Sequence, residues 1–434
     1  MMRLVDLRDT VLDSALVNST VPRAPLDIEA ALTQIRPLLE DIRNQGLQPI
    51  LDAAKKFDNL DPTPIRVQAH ELAEALDQLA PDVRRAIEES ISRVRAVSRA
   101  TLPKAVSVEL AQGAQVHQRW QPVDSVGLYV PGGKAVYPSS VIMNVVPAQE
   151  AGVKRLAIAT PAQADFRSRP HPIVLATAAL LGVTEVYAIG GPAAIAAFAY
   201  GVEQISLKPV AMVTGPGNIF VAAAKRALRG VIGIDSEAGT TEILIVADTA
   251  ADARLVAYDL VSQAEHDEAA ACVVVSESER LLRDIEQWVG KIAEQTANSN
   301  RVVAALGGVQ SALVLVDDIV QARVFADFYA TEHLEIHTVN AREDAAAISN
   351  AGAIFLGSNS PVSLGDYIAG SNHVLPTGQQ AKFGAGLGVH TFLRAQQIID
   401  YDRDALAQVA ELAQVFANSE GLPAHGEAIS ARFS

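Results

Sequence analysis

From Val126 to Val316 the chain keeps returning to one pattern, a short apolar run rich in β-branched residues followed by an Ala-rich segment with helical spacing. The runs are Val126–Val130, Arg155–Thr160, Glu185–Ile189, Val210–Thr214, Glu242–Ala247, Ala271–Val275 and Ala312–Val316. Strands that are apolar at nearly every position belong in parallel sheets covered on both faces, and parallel strands need crossover helices between them. The pattern therefore predicts an α/β protein with two βαβ sheets in succession. Ahead of it, residues 26–99 read as a helical lead-in, with apolar positions at helical spacing through Ile28–Ile42 and Glu71–Val97. Beyond Leu375-Pro-Thr-Gly378 the pattern thins into Gly-rich sequence. An amphipathic stretch, Asp404–Phe416, then leads into a polar tail, which is expected to dock on a partner subunit.

A chain of 434 residues with 49% hydrophobic side chains is too long for one core and implies two or three domains. Its net charge of −15, with no run of Lys or Arg, argues against nucleic acid, whose phosphates need clustered cations. Small molecules are the expected partners. The single cysteine, Cys272, lies within an apolar run and forms no internal disulfide, so it reads as a buried structural thiol in a reducing compartment. Charges interrupt the first nine residues, and no stretch approaches the roughly 20 apolar residues of a membrane span. A cytoplasmic location is expected.

Three glycine turns follow strands: Tyr129-Val-Pro-Gly-Gly133, Gly190-Gly-Pro192 and Gly215-Pro-Gly-Asn218, the last opening a helix. None is a G-x-G-x-x-G fingerprint, and each alone is ordinary turn chemistry. Repeated at strand ends, they suit a nucleotide lying against a helix N-terminus. Polar chemistry concentrates later. Gln263 and His266 share one face of a helix end, either as a metal-binding pair or as plain helix-end polarity. Glu332-His333 sits between a helix and a strand, where it is either a capping acid beside a hydrogen-bonded imidazole or an acid–base pair. Leu364-Gly-Asp366-Tyr and Gly370-Ser-Asn-His373 place an acid and an imidazole on loops. Glu420-Gly-Leu-Pro-Ala-His425 lies in the tail, and six of the nine histidines fall between His266 and His425.

This ordered set of motifs, spread over the chain, resembles the histidinol dehydrogenase family. The resemblance implies two incomplete Rossmann-like parallel-sheet domains with small helical terminal extensions, in a domain-swapped homodimer. Its boundaries fall at 1–25 for an N-terminal arm that crosses to the partner, 26–128 plus 235–377 for the domain carrying metal and catalytic residues, 129–234 for the nucleotide-binding domain and 378–434 for the tail. It further implies one Zn2+ per subunit, held by Gln263, His266, Asp366 and His425, with His425 reaching across from the other subunit. Glu332 and His333 become the catalytic pair. Thr241, Gln263, His266, His333, Asp366, His373, Glu420 and His425 contact the substrate, and Tyr129 and Asn218 contact NAD.

The implied reaction takes L-histidinol through the aldehyde to L-histidine in two hydride transfers, each to its own NAD. His333 would take the alcohol proton and Glu332 would deprotonate the water that adds to the aldehyde. Two positions depart from the family pattern: Ala193 stands where some members carry a cofactor-contacting glutamine, and Thr241 lies in Ile234-Asp-Ser-Glu-Ala-Gly-Thr-Thr-Glu242, which replaces a more usual Pro-Ala-Gly-Pro-Ser-Glu. The alternatives are a relative acting on a different alcohol, a zinc hydrolase using Glu332 to activate water, and a non-enzymatic binding protein.

Overall fold

The computed structural model describes residues 2–434 apart from Pro25, Leu26, Gly133, Lys134 and Ala238, so Gly133 of the first glycine turn and Ala238 of the 234–242 segment lie outside the described residues. In chain order the strands are β1 (Arg3–Asp6), β2 (Val106–Ala111), β3 (Ala114–Pro122), β4 (Ser125–Tyr129), β5 (Arg155–Thr160), β6 (Glu185–Ala188), β7 (Met212–Thr214), β8 (Gly233–Ile234), β9 (Glu242–Ala247), β10 (Ala271–Ser276), β11 (Ala312–Leu315), β12 (His333–His337), β13 (Ala353–Leu356) and β14 (Leu393–Tyr401). They form a five-stranded sheet, β6-β5-β4-β7-β8, a six-stranded sheet, β1-β11-β10-β9-β12-β13, and a three-stranded sheet, β14-β3-β2. The first two are parallel throughout. Each winds outward from a central strand and then reverses on its other side, so each has a switch point, between β4 and β7 in one and between β9 and β12 in the other.

The apolar runs do what their composition dictates. Every residue of β9 and of β10 is buried, because helices cover both faces. The helix Ile28–Gln45 starts on Asp27, whose side chain accepts the Ala30 N–H, and buries Ala31, Leu32, Ile35, Leu39 and Ile42 as one stripe. It stops at Gly46, whose φ of +72° suits a residue without Cβ.

The lead-in helices, grouped with residues 235–377 in the sequence reading, pack against the five-stranded sheet. Ile35, Leu39 and Ile42 share a core with Ala157, Ile195 and Val213, and Ile87, Ile91 and Val94 share one with Val126, Val145 and Ile158. β4 also begins at Ser125, ahead of the boundary placed at 129. An apolar helical stripe specifies that it is covered, not which sheet covers it. At the other end, β1 pairs in parallel with β11 of its own chain.

The antiparallel sheet was not anticipated. Seven of the nine residues of β14 and the first five of β2 are solvent-facing, so neither strand carries the apolar signature of the other runs. The tail itself is helical, Arg403–Ser419 followed by Pro423–Ser430, and the two helices pack on each other. Val409, Leu412, Val415, Phe416 and Leu422 remain exposed on them. Among the described residues, no helix is long and apolar enough to cross a membrane.

Candidate active site

The centre of the site is the amino edge of the six-stranded sheet, where β9 and β12 begin. The helix Ile319–Tyr329 ends with Ala330 at φ +50°, a left-handed turn that swings Thr331 and Glu332 into the start of β12. Adjacent residues of a regular strand point to opposite faces. Glu332 lies just outside the strand, and its Oε2 comes within 3.5 Å of His333 Nδ1.

One residue, Glu242, holds both. Its backbone N–H donates to Glu332 Oε2 at 2.9 Å, and its carbonyl lies 3.1 Å from His333 Nδ1. A carbonyl only accepts, so Nδ1 carries the imidazole proton and Nε2 is left with its lone pair. Thr241 Oγ1 donates to Glu332 Oε2 at 2.5 Å and accepts from Gln263 Nε2 at 2.5 Å, so the hydroxyl at this departing position is engaged on both sides.

Glu332 and His333 are buried, 6% and 4% exposed. Burial pushes the Glu332 carboxyl up to about 8, against the hydrogen bonds from Thr241 and Glu242, while the charges of Glu242 and Asp366 push the same way as burial. Burial lowers His333 below the usual imidazole range, with Asp366 opposing, and keeps the ring neutral. His373 is likewise lowered by burial. Its Nδ1 lies 3.0 Å from the Asp366 carbonyl and its Nε2 3.2 Å from Ser140 Oγ, a partner the sequence did not suggest.

Two groups of side chains can be weighed as a metal centre. In the first, Gln263 is the penultimate residue of the helix Ala253–Ala264 and His266 follows just beyond its end, its N–H donating to the Gln263 carbonyl. With Gln263 Nε2 committed to Thr241, Gln263 Oε1 is buried without any partner. His266 Nε2 and Asp366 Oδ2 stand 3.9 Å apart, beyond hydrogen-bond reach. An unpartnered amide oxygen, an imidazole nitrogen and a carboxylate that do not bond to one another form a donor set that a divalent cation can take.

The second group, Asp259, Glu335 and His337, offers ligand atoms within 4.8 Å of one another. Glu335 Oε1 accepts the Val362 N–H at 2.7 Å, Oε2 lies 3.2 Å from His337 Nε2, and Asp259 hydrogen-bonds to Glu335. Glu335 thus bonds both of its neighbours, although His337 Nε2 stands 3.9 Å from Asp259 Oδ2 and His337 Nδ1 is buried without a partner. The first group, none of whose side-chain donors bonds another among the described residues, fits a metal better. Glu420 and His425 lie on the tail, exposed, and among the described residues no hydrogen bond or ion pair joins them to this site.

The glycine turns gather at the carboxyl edge of the five-stranded sheet. Gly215 (φ +115°) follows β7 at the switch point, and a Cβ there would stand 2.0 Å from the Tyr129 carbonyl oxygen at the end of β4. Only a residue without Cβ lets the two strand ends approach this closely. Tyr129 is buried, its hydroxyl accepts the Gly191 N–H at 3.0 Å, and burial pushes it up to about 12. Asn218 caps the helix Ile219–Leu228 by accepting from the N–H groups of Phe220 and Val221. Ala193 is buried in the helix Gly191–Tyr200.

Sequence reasoning passed over Glu242 and its partner Arg23. The signal was a carboxylate opening an otherwise apolar strand, a position that calls for a buried cation nearby.

A pair of wound parallel sheets, one edge with a buried acid–imidazole pair and the other with glycine turns at a switch point, defines an α/β enzyme built for acid–base chemistry on a small ligand. The histidinol dehydrogenase family model matches residues 21–433. Histidinol dehydrogenase of Corynebacterium efficiens is 53% identical over 433 residues, covering 100% of this chain and 96% of that protein. That of Corynebacterium glutamicum is 53% identical, with 100% and 98% covered. The crystal structure of histidinol dehydrogenase from Elizabethkingia anophelis superposes with a TM-score of 0.93 at 29% identity, covering 100% of this chain and 98% of its own. The chain belongs to the histidinol dehydrogenase family and is thereby an oxidoreductase of histidine biosynthesis.

Proposed function

We propose that this chain oxidises L-histidinol through L-histidinaldehyde to L-histidine in the cytoplasm, at a site completed by a second copy of the chain. The observation that carries the reading is the convergence of Glu332 and His333 on the backbone of Glu242, beside the unsatisfied set Gln263, His266 and Asp366.

His333 enters as a neutral imidazole with Nε2 free, ready to take the alcohol proton. Glu332 then takes a proton from the water that adds to the aldehyde carbon, and Thr241 keeps its carboxyl aimed. His373, fixed by the Asp366 carbonyl and Ser140, closes the substrate side. NAD, held at the turns around Tyr129 and Asn218, supplies the hydride acceptor in each oxidation. Gln263, His266, Asp366 and His425 of the partner subunit would hold zinc, which would supply a positive charge that anchors the substrate and favours the Glu332 carboxylate.

Two features support the shared site. His425 and Glu420 lie on an exposed tail, and the tail helix carries the uncovered apolar residues Val409, Leu412 and Phe416 at spacings of three and four. A second copy that covers this face would carry both tail residues to its neighbour. The expected result with limiting L-histidinol is two NADH per molecule, lost on chelation and regained with zinc. One NADH would mean that the aldehyde leaves and that Glu332 does not activate water; none would point to a different alcohol.

A further inference from the structure

We propose that Arg23 is a positioning residue for the reaction, acting through Glu242 to set the catalytic pair, an inference that rests on reading Glu332 and His333 as that pair. Glu242 opens β9 with its side chain 2% exposed, and a carboxylate in that place persists only with a matched cation and filled hydrogen bonds. Arg23 supplies both. Its Nε donates to Glu242 Oε1 at 2.7 Å and its Nη2 to Oε2 at 3.1 Å, a two-pronged contact whose planar geometry fixes direction as well as charge. The Gly378 N–H adds a third bond to Oε1 at 2.9 Å.

The same guanidinium reaches the other half of the pair. Nη2 donates to the Tyr329 carbonyl at 2.5 Å, and the guanidinium carbon lies 4.1 Å from the centre of the Tyr329 ring. Tyr329 is the last residue of its helix, three positions before Glu332. Arg23 therefore grips the start of β9 through Glu242 and the turn that delivers Glu332 and His333 through Tyr329. The backbone of Glu242 in turn holds Glu332 Oε2 and His333 Nδ1. One side chain from ahead of the first long helix thus fixes the spacing between two strand starts on which both catalytic groups hang. Asn18 Oδ1, 3.4 Å from Nη1, steadies the fork from its own segment.

The signature of positioning differs from that of either catalytic residue. A group that orients both Glu332 and His333 slows both oxidations together and leaves substrate binding alone, because Arg23 touches neither the proposed metal ligands nor the turns at Tyr129 and Asn218. Arg23→Lys keeps the charge and loses the fork. With the zinc-loaded enzyme, kcat per bound zinc is expected to fall about tenfold for histidinol and for histidinaldehyde alike, the scale of a sub-ångström misplacement, while KM for both stays within about twofold. The double variant Arg23→Gln/Glu242→Gln, a neutral amide pair of the same shape, serves if the single variant does not fold, and the same split is expected of it. Parent values of kcat per zinc in the folded variants would overturn the proposal and leave Arg23 a structural residue. Glu332→Gln and His333→Gln, run in parallel, separate the two levels. If they too keep parent rates, the catalytic reading fails; if they lose activity while Arg23→Lys keeps it, only the positioning role fails.

Discussion

The five-stranded and six-stranded sheets share a strand order, leaving β1 aside, and differ in which edge is open for business with a ligand. In the five-stranded sheet the glycine turns after β4, β6 and β7 sit at the carboxyl ends, where an open α/β sheet offers its crevice at the switch point. In the six-stranded sheet the equivalent crevice, between β9 and β12, is filled. There Glu335 bonds to both Asp259 and His337, and the Val339 N–H is taken by Asp248. Gln263 Oε1, buried without a partner, and the His266–Asp366 gap lie at the opposite, amino edge, while His337 Nδ1 is the unpartnered atom of the carboxyl-end cluster. On β12 itself, His333, Glu335 and His337 share one face at a period of two, so a single strand carries an open cluster at its start and a closed one at its end. Topology alone points to the carboxyl edge of this sheet; the gathering of Glu332, His333, Gln263, His266 and Asp366 makes the amino edge the proposed one.

The largest effect that sharpens this contrast is at the open edge. Glu332→Gln keeps the shape and removes the base, and the aldehyde step is expected to slow by roughly 10²–10⁴-fold, far more than the alcohol step. Measured with each substrate separately, equal slowing of the two would remove Glu332 from the water-activating role. Next comes the question of whether the edge is closed by a neighbour. His425→Ala and Gln263→Ala, each inactive alone, should regain activity when mixed, because a hybrid dimer of the proposed kind keeps one complete site. Absence of rescue in hybrids shown to form would break the shared-site reading.

A smaller effect tests the five-stranded edge. Gly215→Ala places a Cβ 2.0 Å from the Tyr129 carbonyl oxygen at a φ of +115°, and the turn has to shift. Strain of about 1–3 kcal/mol at such a position corresponds to roughly ten-fold or more in KM for NAD. Zinc content, which depends on the other sheet, is expected to stay at the parent level. A loss of zinc together with NAD binding would mean that the two edges are not independent.

Much of this contrast was legible in the residues. Seven apolar runs announced two parallel sheets, and the glycine turns after β4, β6 and β7 fell where a cofactor edge belongs. Gln263 and His266 announced a shared face. Their proposed role as metal ligands was not legible from the residues, because the unpartnered Oε1 is visible only once Thr241 is seen to claim the other atom of the amide. Arg23 was hidden for a related reason: its partner Glu242 lies 219 positions away, and no local period links them. The β14-β3-β2 sheet escaped because exposed strands carry no apolar pattern, and the partner of the lead-in helices escaped because a stripe says that it is buried without saying under what.

The smallest effect follows from proton binding at the two ends of β12. Burial raises Asp259 to about 8 at the closed end, helped by the charge of Glu335, and Glu332 to about 8 at the open end. An acid whose folded pKa lies above its unfolded value near 4 stabilises the fold fully below that value and loses the contribution as pH rises through the folded one. Without zinc, Tm is therefore expected to decline between about pH 4 and 8 on account of both groups. Asp259→Asn can still donate to Glu335, so it should flatten part of that decline and leave kcat unchanged. Glu332→Gln should flatten another part. Zinc should shrink the share that belongs to Glu332, because a cation beside Asp366 favours the carboxylate, and leave the Asp259 share as it was. Tm profiles of the parent and the two variants, with and without zinc, read this directly. If zinc altered the Asp259 share and not that of Glu332, the metal would belong at the carboxyl end of β12, and the assignment of open and closed edges would have to be exchanged.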